Sequence, residues 1–456
     1  MIKSYKNISD SKIDWLGKVP NAWKVVKLKY ALADVPYPIV DGPFGTQLKA
    51  DEYTDSGVPL VRISNLDFKG NLTLEDIKFI SEEKALEIQR SRIKLNDIII
   101  GKTGATIGKS GLNDKIEYGI ISSSCLKISV DENKLLPHFI KYYVTSANFQ
   151  NIILQTASGS TRDTINITPM ANLEVVIPTK EEQTKIAQFL DHQTAIIDQL
   201  IQQKEKLIEL LKEKRQAVIN EAVTKGLNPN AKMKDSGLEW LGEVPKHWKV
   251  ARIGHYTQLI RGASPRPAGD PRYFGGDFMP WITVGEVTNG DDKFVLSTEN
   301  YLTKEGSEQS RIIYPETLLL SNSGATLGVP KISKITGCIN DGSVAFISLS
   351  NELERDFLFY FFKTHTETYR QEMSGYGQPN LNTDIIKSTK IPLPPISEQI
   401  EIVNFIENEF LEFNKIISLS ALQIDKMKEY RQSIISEAVT GKIDVRDWQP
   451  NKQQVA

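Results

Sequence analysis

No stretch constrains the chain more than Glu182 to Thr224, 43 residues without a Gly or a Pro. Apolar side chains recur at Ile186, Leu190, Ile197, Leu200, Leu207, Leu211 and Val218. Steps of three, four and seven lay one stripe along a helix while Lys, Glu and Gln fill the other faces. Pro178 before the stretch and Gly226 after it are natural stops. At about 1.5 Å per residue the helix would reach roughly 65 Å, more than the core of one ordinary domain needs.

The chain carries this helix twice. In Glu398 to Thr440, Glu398-Gln399 answers Glu182-Gln183, Phe405 answers Phe189, Arg431-Gln432 answers Arg215-Gln216, and Glu437 to Thr440 answers Glu221 to Thr224, every pair 216 residues apart. Its stripe is Ile402, Ile406, Phe413, Ile417, Ile424, Met427 and Ile434. Two helices of equal length, each with one apolar seam, most simply bury those seams against each other as a coiled-coil-like pair. A core helix of a single domain would need neither the length nor the duplication. An antiparallel pair would also return the chain near Thr440 to the neighbourhood of Asp10, just as Thr224 leads directly to Asp235.

The segments leading into the globular regions repeat too. Asp10-Ser11, Trp15-Leu16-Gly17, Val19-Pro20 and Trp23-Lys24-Val25 align with Asp235-Ser236, Trp240-Leu241-Gly242, Val244-Pro245 and Trp248-Lys249-Val250, 225 residues apart. Both are basic: residues 1–30 set seven lysines against Asp10 and Asp14, and residues 244–272 set Lys246, Lys249, Arg252, Arg261, Arg266 and Arg272 against Asp270. One basic run is ordinarily a solvated face; two in equivalent places count against that reading. The tryptophans, fixed beside Val-Pro in both copies, are expected to pack against the helix pair rather than to stack on bases. Between entry and helix, short β-like runs (Val58 to Ile63, Asp97 to Ile100, Cys125 to Ile128) alternate with turns, and helices are expected near Pro137 to Gln150 and Glu354 to Glu372. The chain therefore reads as α+β with a pseudo-two-fold internal repeat.

Composition sets looser bounds. The 456 residues carry a net charge of −2, and 40% are hydrophobic, ordinary for a globular protein of two or three domains. Two cysteines, Cys125 and Cys338, exclude a disulfide framework and a four-cysteine zinc site. With no signal-like leader and no long apolar run, a cytoplasmic protein that does not enter a membrane is expected.

Catalytic motifs fail on inspection. Gly104-Ala105-Thr106-Ile107-Gly108-Lys109-Ser110 has three residues between its glycines, whereas a phosphate-binding loop of the Walker type needs four. The second copy replaces the lysine step with Val329-Pro330, so a structural turn shared by both copies is expected. Asp34-Val35-Pro36-Tyr37 is the nearest approach to a methyltransferase motif and lacks its second residue. The five histidines, His138, His192, His247, His255 and His365, are too scattered for a zinc cluster or a Ser/His hydrolase.

Diverged globular halves alternating with near-identical helices, each entered by P-x-x-x-E-Q (Pro178 to Gln183, Pro394 to Gln399) and left by E-A-V-T, resemble the specificity subunit of type I restriction-modification systems over nearly the whole chain. Asp41-Gly42-Pro43-Phe44-Gly45-Thr46 with Gln47-Leu48-Lys49, and Arg261 to Pro267 followed by Pro280-Trp281-Ile282, are similar to loops of target-recognition domains in that family. One departure is Pro178-Thr179 where the second copy has Pro394-Pro395.

The resemblance implies target-recognition domains at 1–176 and 227–391, long spacer helices at 177–226 and 392–441, and a C-terminal tail at 442–456. It implies a non-catalytic subunit whose two domains, separated by the antiparallel helices, each read one half of a bipartite, asymmetric site in double-stranded DNA. The helices would set the spacing and dock two methyltransferase subunits, with restriction/translocase subunits joining the assembled complex. S-adenosylmethionine, ATP and magnesium would be bound by those partners. Base reading needs donors and acceptors on loops backed by cations on phosphates, and the candidates are Thr46, Gln47, Lys102, Thr103, Lys109, Arg162, Arg261, Ser264, Arg266, Arg272, Gln378 and Asn380. A scaffold linking two ligand-binding domains without DNA would explain the duplication but not the basic entries. The recognition region of another restriction-methylase type would need further catalytic parts.

Overall fold

The structure is a computed structural model and describes residues 3–157, 164–324, 326–373 and 380–450. It divides into two compact units, Met1–Glu205 with Ala421–Ala456, and Lys206–Ser420. Each unit therefore takes one globular region and about half of each long helix.

In the first unit, β1 (Ile39–Asp41), β2 (Gly70–Asn71), β3 (Ile98–Gly101), β4 (Ser110–Leu112) and β5 (Cys125–Ile128) form one sheet in the order β1-β5-β3-β4-β2. Ile98, Ile99 and Ile100 are fully buried on both faces, which is why β3 reads as an unbroken apolar run instead of alternating. A second sheet pairs Lys78–Ile80, Val58–Val61, Gly119–Ile121 and Arg92–Ile93 in that order. Helix α1 (Pro137–Thr145) follows, then Glu174–Ile177, which pairs antiparallel with the entry strand Lys24–Lys27, then the long helix α2 (Lys180–Lys225).

The second unit repeats this plan with different side chains. Its sheet is β6-β10-β8-β9-β7, from β6 (Gln258–Arg261), β7 (Phe294–Val295), β8 (Thr317–Ser321), β9 (Pro330–Ser333) and β10 (Ser343–Ile347). Helix α3 (Arg355–Met373) stands where α1 stood, and Lys390–Leu393 pairs with Lys249–Arg252 before the long helix α4 (Ile396–Val439). Phe357, Phe359, Phe361 and Phe362 of α3 are at most 2% exposed and form much of this unit's core.

Within each unit the halves of α2 and α4 run antiparallel. In the first, Phe189 meets Trp448 while Asp198 meets Arg431, Nε to Oδ1 at 3.0 Å; in the second, the Arg215 guanidinium lies 4.1 Å over the ring of Phe410. On α4 the seam residues Ile402, Ile406, Phe413, Ile424 and Ile434 are buried and Ile417 and Met427 half-buried; Phe410 joins them. On α2, Ile186, Leu190 and Ile197 are buried and Leu211 and Val218 half-buried. Leu200 and Leu207 are not in the seam: they stand 44% and 38% exposed, and buried Ile201 and half-buried Ile208 take their place. The packed stripe keeps a strict three-four alternation through the stems of Lys204 and Arg215, whereas the leucines lie on the adjacent face.

The P-x-x-x-E-Q element has a packing reason. Gln183 is fully buried: its Nε2 donates to the carbonyls of Lys134 (2.7 Å) and Pro178 (3.0 Å), and its Oε1 accepts from the amide of Leu136 (2.7 Å) at the start of α1. Gln399 does the same with the carbonyls of Glu352 (2.8 Å) and Pro394 (2.9 Å) and the amide of Glu354 (2.8 Å). One side chain thus caps a neighbouring helix and fixes the chain entering the long one. Thr179 at the departure completes a local box by donating its Oγ1 to Glu182 (3.1 Å).

Trp23 and Trp248 are buried beside the glycines that end the long helices, Gly441 and Gly226. Trp240 packs its ring on Phe361 and His365 of α3. Past α4, Lys442 Nζ donates to the carbonyl of Leu16 (2.9 Å), Asp444 bridges Lys3, and Ile443 and Val445 are buried. The exit of α4 therefore does lie against the entry segment.

Burial also marks His365, 3% exposed among Trp240, Phe361 and Tyr369, with its pKa pushed down to about 4. The folded protein keeps this imidazole neutral while the unfolded chain takes up a proton below its ordinary pKa of about 6.5, so stability falls as pH drops through 6.5 and levels off near 4. The second unit should lose about 2–3 kcal/mol over that window. Denaturant titrations of wild type and His365→Leu at pH 7.5 and 4.5 check this: the wild type's excess acid sensitivity should vanish in the variant.

Candidate nucleic-acid interface

The loops at one end of each five-stranded sheet are built from the same backbone bonds. At the end of β1, Gly42 approaches the turn before β5 so closely that a Cβ would lie 1.9 Å from the Ser122 carbonyl oxygen; Gly262, after β6, meets the Asn340 oxygen at 2.0 Å. Any side chain here would push the first strand off the sheet. The amide of Lys102 donates to Ser124 O and that of Asn322 to Gly342 O, both at 2.9 Å. Lys102 O in turn accepts from Ile165 (3.0 Å) and Asn322 O from Leu381 (2.7 Å).

The glycine turns close the hairpins β3–β4 and β8–β9 in matching fashion. Gly108 donates to Gly101 O and Gly328 to Ser321 O, both at 2.8 Å, and both glycines have φ +84°. A strand follows each turn, so no helix N-terminus stands behind it to cradle a phosphate.

Three positions of this frame correspond between the units: the end of the first strand (Asp41, Arg261), the residue after the third (Lys102, Asn322), and the turn before the last (Ser123, Asp341). In the first unit Lys102 Nζ sits 3.1 Å from Asp41 Oδ2, the two side chains 12% and 27% exposed. Lys102 is therefore an engaged cation, not the free loop lysine expected from sequence. Thr103 bridges Thr164, while Thr46 and Gln47 are exposed on the loop after Gly42, where the side-chain Oε1 of Gln47 accepts from the amide of Phe44 at 3.0 Å. Lys109, on the far side of the hairpin turn, lies 4.9 Å over the exposed ring of Phe68.

In the second unit, Asp341 gathers the candidates. Its Oδ1 accepts from Ser264 Oγ (2.6 Å), its Oδ2 faces Arg266 Nη2 (3.3 Å), and its backbone oxygen accepts from Arg261 Nε (3.0 Å) and Asn322 Nδ2 (3.2 Å). Asn380 is exposed and bridges Ser323. Arg272 does not join them; it is held by Asp270 at 2.7 Å, which lowers that carboxyl's pKa. Arg162 and Gln378 lie outside the described residues.

The carboxylates are absent from the residues expected from sequence to contact DNA, although Asp41 heads one of the loops quoted above. A search for phosphate partners selects cations and passes over Asp41 and Asp341, although Asp41-Gly42 and Asn340-Asp341-Gly342 stand at the two tight turns. Among the described residues no helix is long and apolar enough to cross a membrane.

The type I restriction modification DNA specificity domain matches residues 44–210 and again 245–420. The chain is 24% identical over 454 residues to a putative type I restriction enzyme MjaX specificity subunit of Methanocaldococcus jannaschii, covering 98% of this chain and 99% of the relative. It is 22% identical to the type I restriction enzyme EcoKI specificity subunit of Escherichia coli K12, covering 94% and 90%. Among solved structures, a chain of a type I R-M system studied for complex assembly and conformational transition aligns with TM-score 0.70 at 19% identity, covering 92% and 98%. The HsdS subunit of Thermoanaerobacter tengcongensis aligns with TM-score 0.57 at 19% identity, covering 93% and 98%.

Proposed function

The chain belongs to the type I restriction modification DNA specificity family, and from that membership we propose how its duplicated architecture works as a DNA sequence-recognition subunit. Each unit reads one half of a bipartite, asymmetric site in double-stranded DNA, the long helices set the spacing, and the helix pair docks two methyltransferase subunits. Restriction/translocase subunits join through the assembled complex. The chemistry, with S-adenosylmethionine, ATP and magnesium, belongs to those partners. The observation that carries this reading is the double family match: one match begins in the first-strand loop of the first unit, the other in the entry segment of the second, at Pro245, and each ends in a long helix. A scaffold without DNA leaves both matches unexplained.

The first test is binding by the assembled complex. Arg261→Ala, Arg266→Ala and Lys109→Ala should each lower affinity for the target duplex and flatten the log–log salt dependence by roughly one unit where a phosphate contact is lost. Full affinity and an unaltered slope in all three would refute these assignments. The second is composition: with methyltransferase in excess, native mass measurement should find two copies per chain, and a stable one-to-one complex would contradict the docking reading.

A further inference from the structure

The shared frame carries opposite charges at corresponding places. The first strand ends in an acid in one unit and a base in the other, Asp41 and Arg261; Lys102 on the hairpin faces the acid, whereas Asp341 on the turn holds Arg261 through its backbone oxygen and sets its carboxylate against Arg266. Two unrelated routes arrive at the same arrangement, one carboxylate set among the cations of the loop cluster. In the first unit Asp41 Oδ1 is buried with no hydrogen-bond partner among the described residues, and the cation facing that carboxylate there is Lys102. In the second, the carboxylate of Asp341 takes one hydroxyl and one guanidinium, the donors a phosphate would take.

Stability does not account for the pair in the second unit. Arg266 and Asp341 are 70% and 43% exposed, and exposed ion pairs add little to a fold. What such a carboxylate alters is the charge a duplex meets. Non-specific binding comes almost wholly from cations neutralising phosphates, and a cation already facing a carboxylate contributes less to it. Target DNA adds base-edge contacts that offset the loss of the internal pair; random sequence does not.

We propose that Asp41 and Asp341 are specificity-determining residues, internal counter-anions that withhold Lys102 and Arg266 from the phosphates of non-target DNA. The inference rests on the DNA-recognition reading above and adds to it residues that improve discrimination by weakening binding.

The test uses the complex assembled with its methyltransferase subunits and two labelled duplexes, one carrying the target mapped by methylation and one lacking it, titrated between 50 and 200 mM salt. Asp41→Asn and Asp341→Asn should each bind the non-target duplex roughly fivefold more tightly at 150 mM, with a salt slope steeper by about one unit. The ratio of target to non-target affinity should fall correspondingly. The double variant Asp41→Asn with Lys102→Met should return the non-target slope to the wild-type value, because the released cation is gone. Asp341→Asn keeps an acceptor for Ser264 on an exposed turn, so it carries the test even where the Asp41 variant fails to assemble. If the wild-type complex prefers its target while Asp341→Asn shows an unchanged or shallower non-target slope and undiminished discrimination, the inference is overturned and the recognition reading stands. A wild-type complex with no preference between the duplexes would overturn both.

Discussion

Gln183→Leu should destabilise the first unit, and Gln399→Leu the second, by about 3–5 kcal/mol each. Leucine fills the space but leaves two carbonyls and one amide without the bonds they make to the glutamine. A buried polar group stripped of its partner costs about 1–3 kcal/mol, and three neighbouring groups that partly relax together cost less than three times that. For a unit of about two hundred residues the corresponding transition should move down by roughly 10 °C. Gln→Glu at either position removes the donor while keeping the acceptor, and should be as damaging or worse because it also buries a charge. Scanning calorimetry of the four variants reads the result. Wild-type melting in the leucine variants would show that the glutamine does not hold these segments together.

Inserting Glu-Lys-Leu-Ile after Lys206, matched by four residues after Gln423, should lengthen the unread spacer of the recognition site by one or two base pairs and leave both half-sites unchanged. Four residues add about 6 Å of helix and turn the downstream seam by only about 40° from its original phase, against a base-pair rise of about 3.4 Å. Two residues would rotate it by about 200° and should abolish assembly. Lys206 opens the second compact unit, so the insertion leaves the buried seam on either side intact. Methylation mapping in cells reads spacer and half-sites together. An active variant with the old spacer and altered half-site bases would eliminate the ruler role of the helices.

Period and duplication were legible because they are properties of order along the chain. A three-four apolar rhythm without Gly or Pro can satisfy its backbone only as a helix, and its recurrence 216 residues on dictates a second. On α4 the buried stripe is apolar almost throughout, and the apolar rhythm and the burial coincide. On α2 that stripe passes through Lys204 and Arg215, so counting apolar residues drifted to Leu200 and Leu207 on the adjacent face. Only the partner helix decides which of two neighbouring stripes is covered.

The candidate interface divides along the same line. Sequence by itself determined that there are two α+β copies, that each is entered through a basic segment, and which loops carry donors. It could not bring Asp41 to Lys102, 61 positions apart, or Asp341 to Ser264, 77 apart. Those pairs exist because the strand order β1-β5-β3 sets the ends of non-consecutive strands side by side, and the frame glycines hold the turns close enough for side chains to meet. Local pattern fixes which elements form; whether a cation on a loop is free or neutralised is decided by sheet pairing across long separations, which the tertiary structure alone supplies.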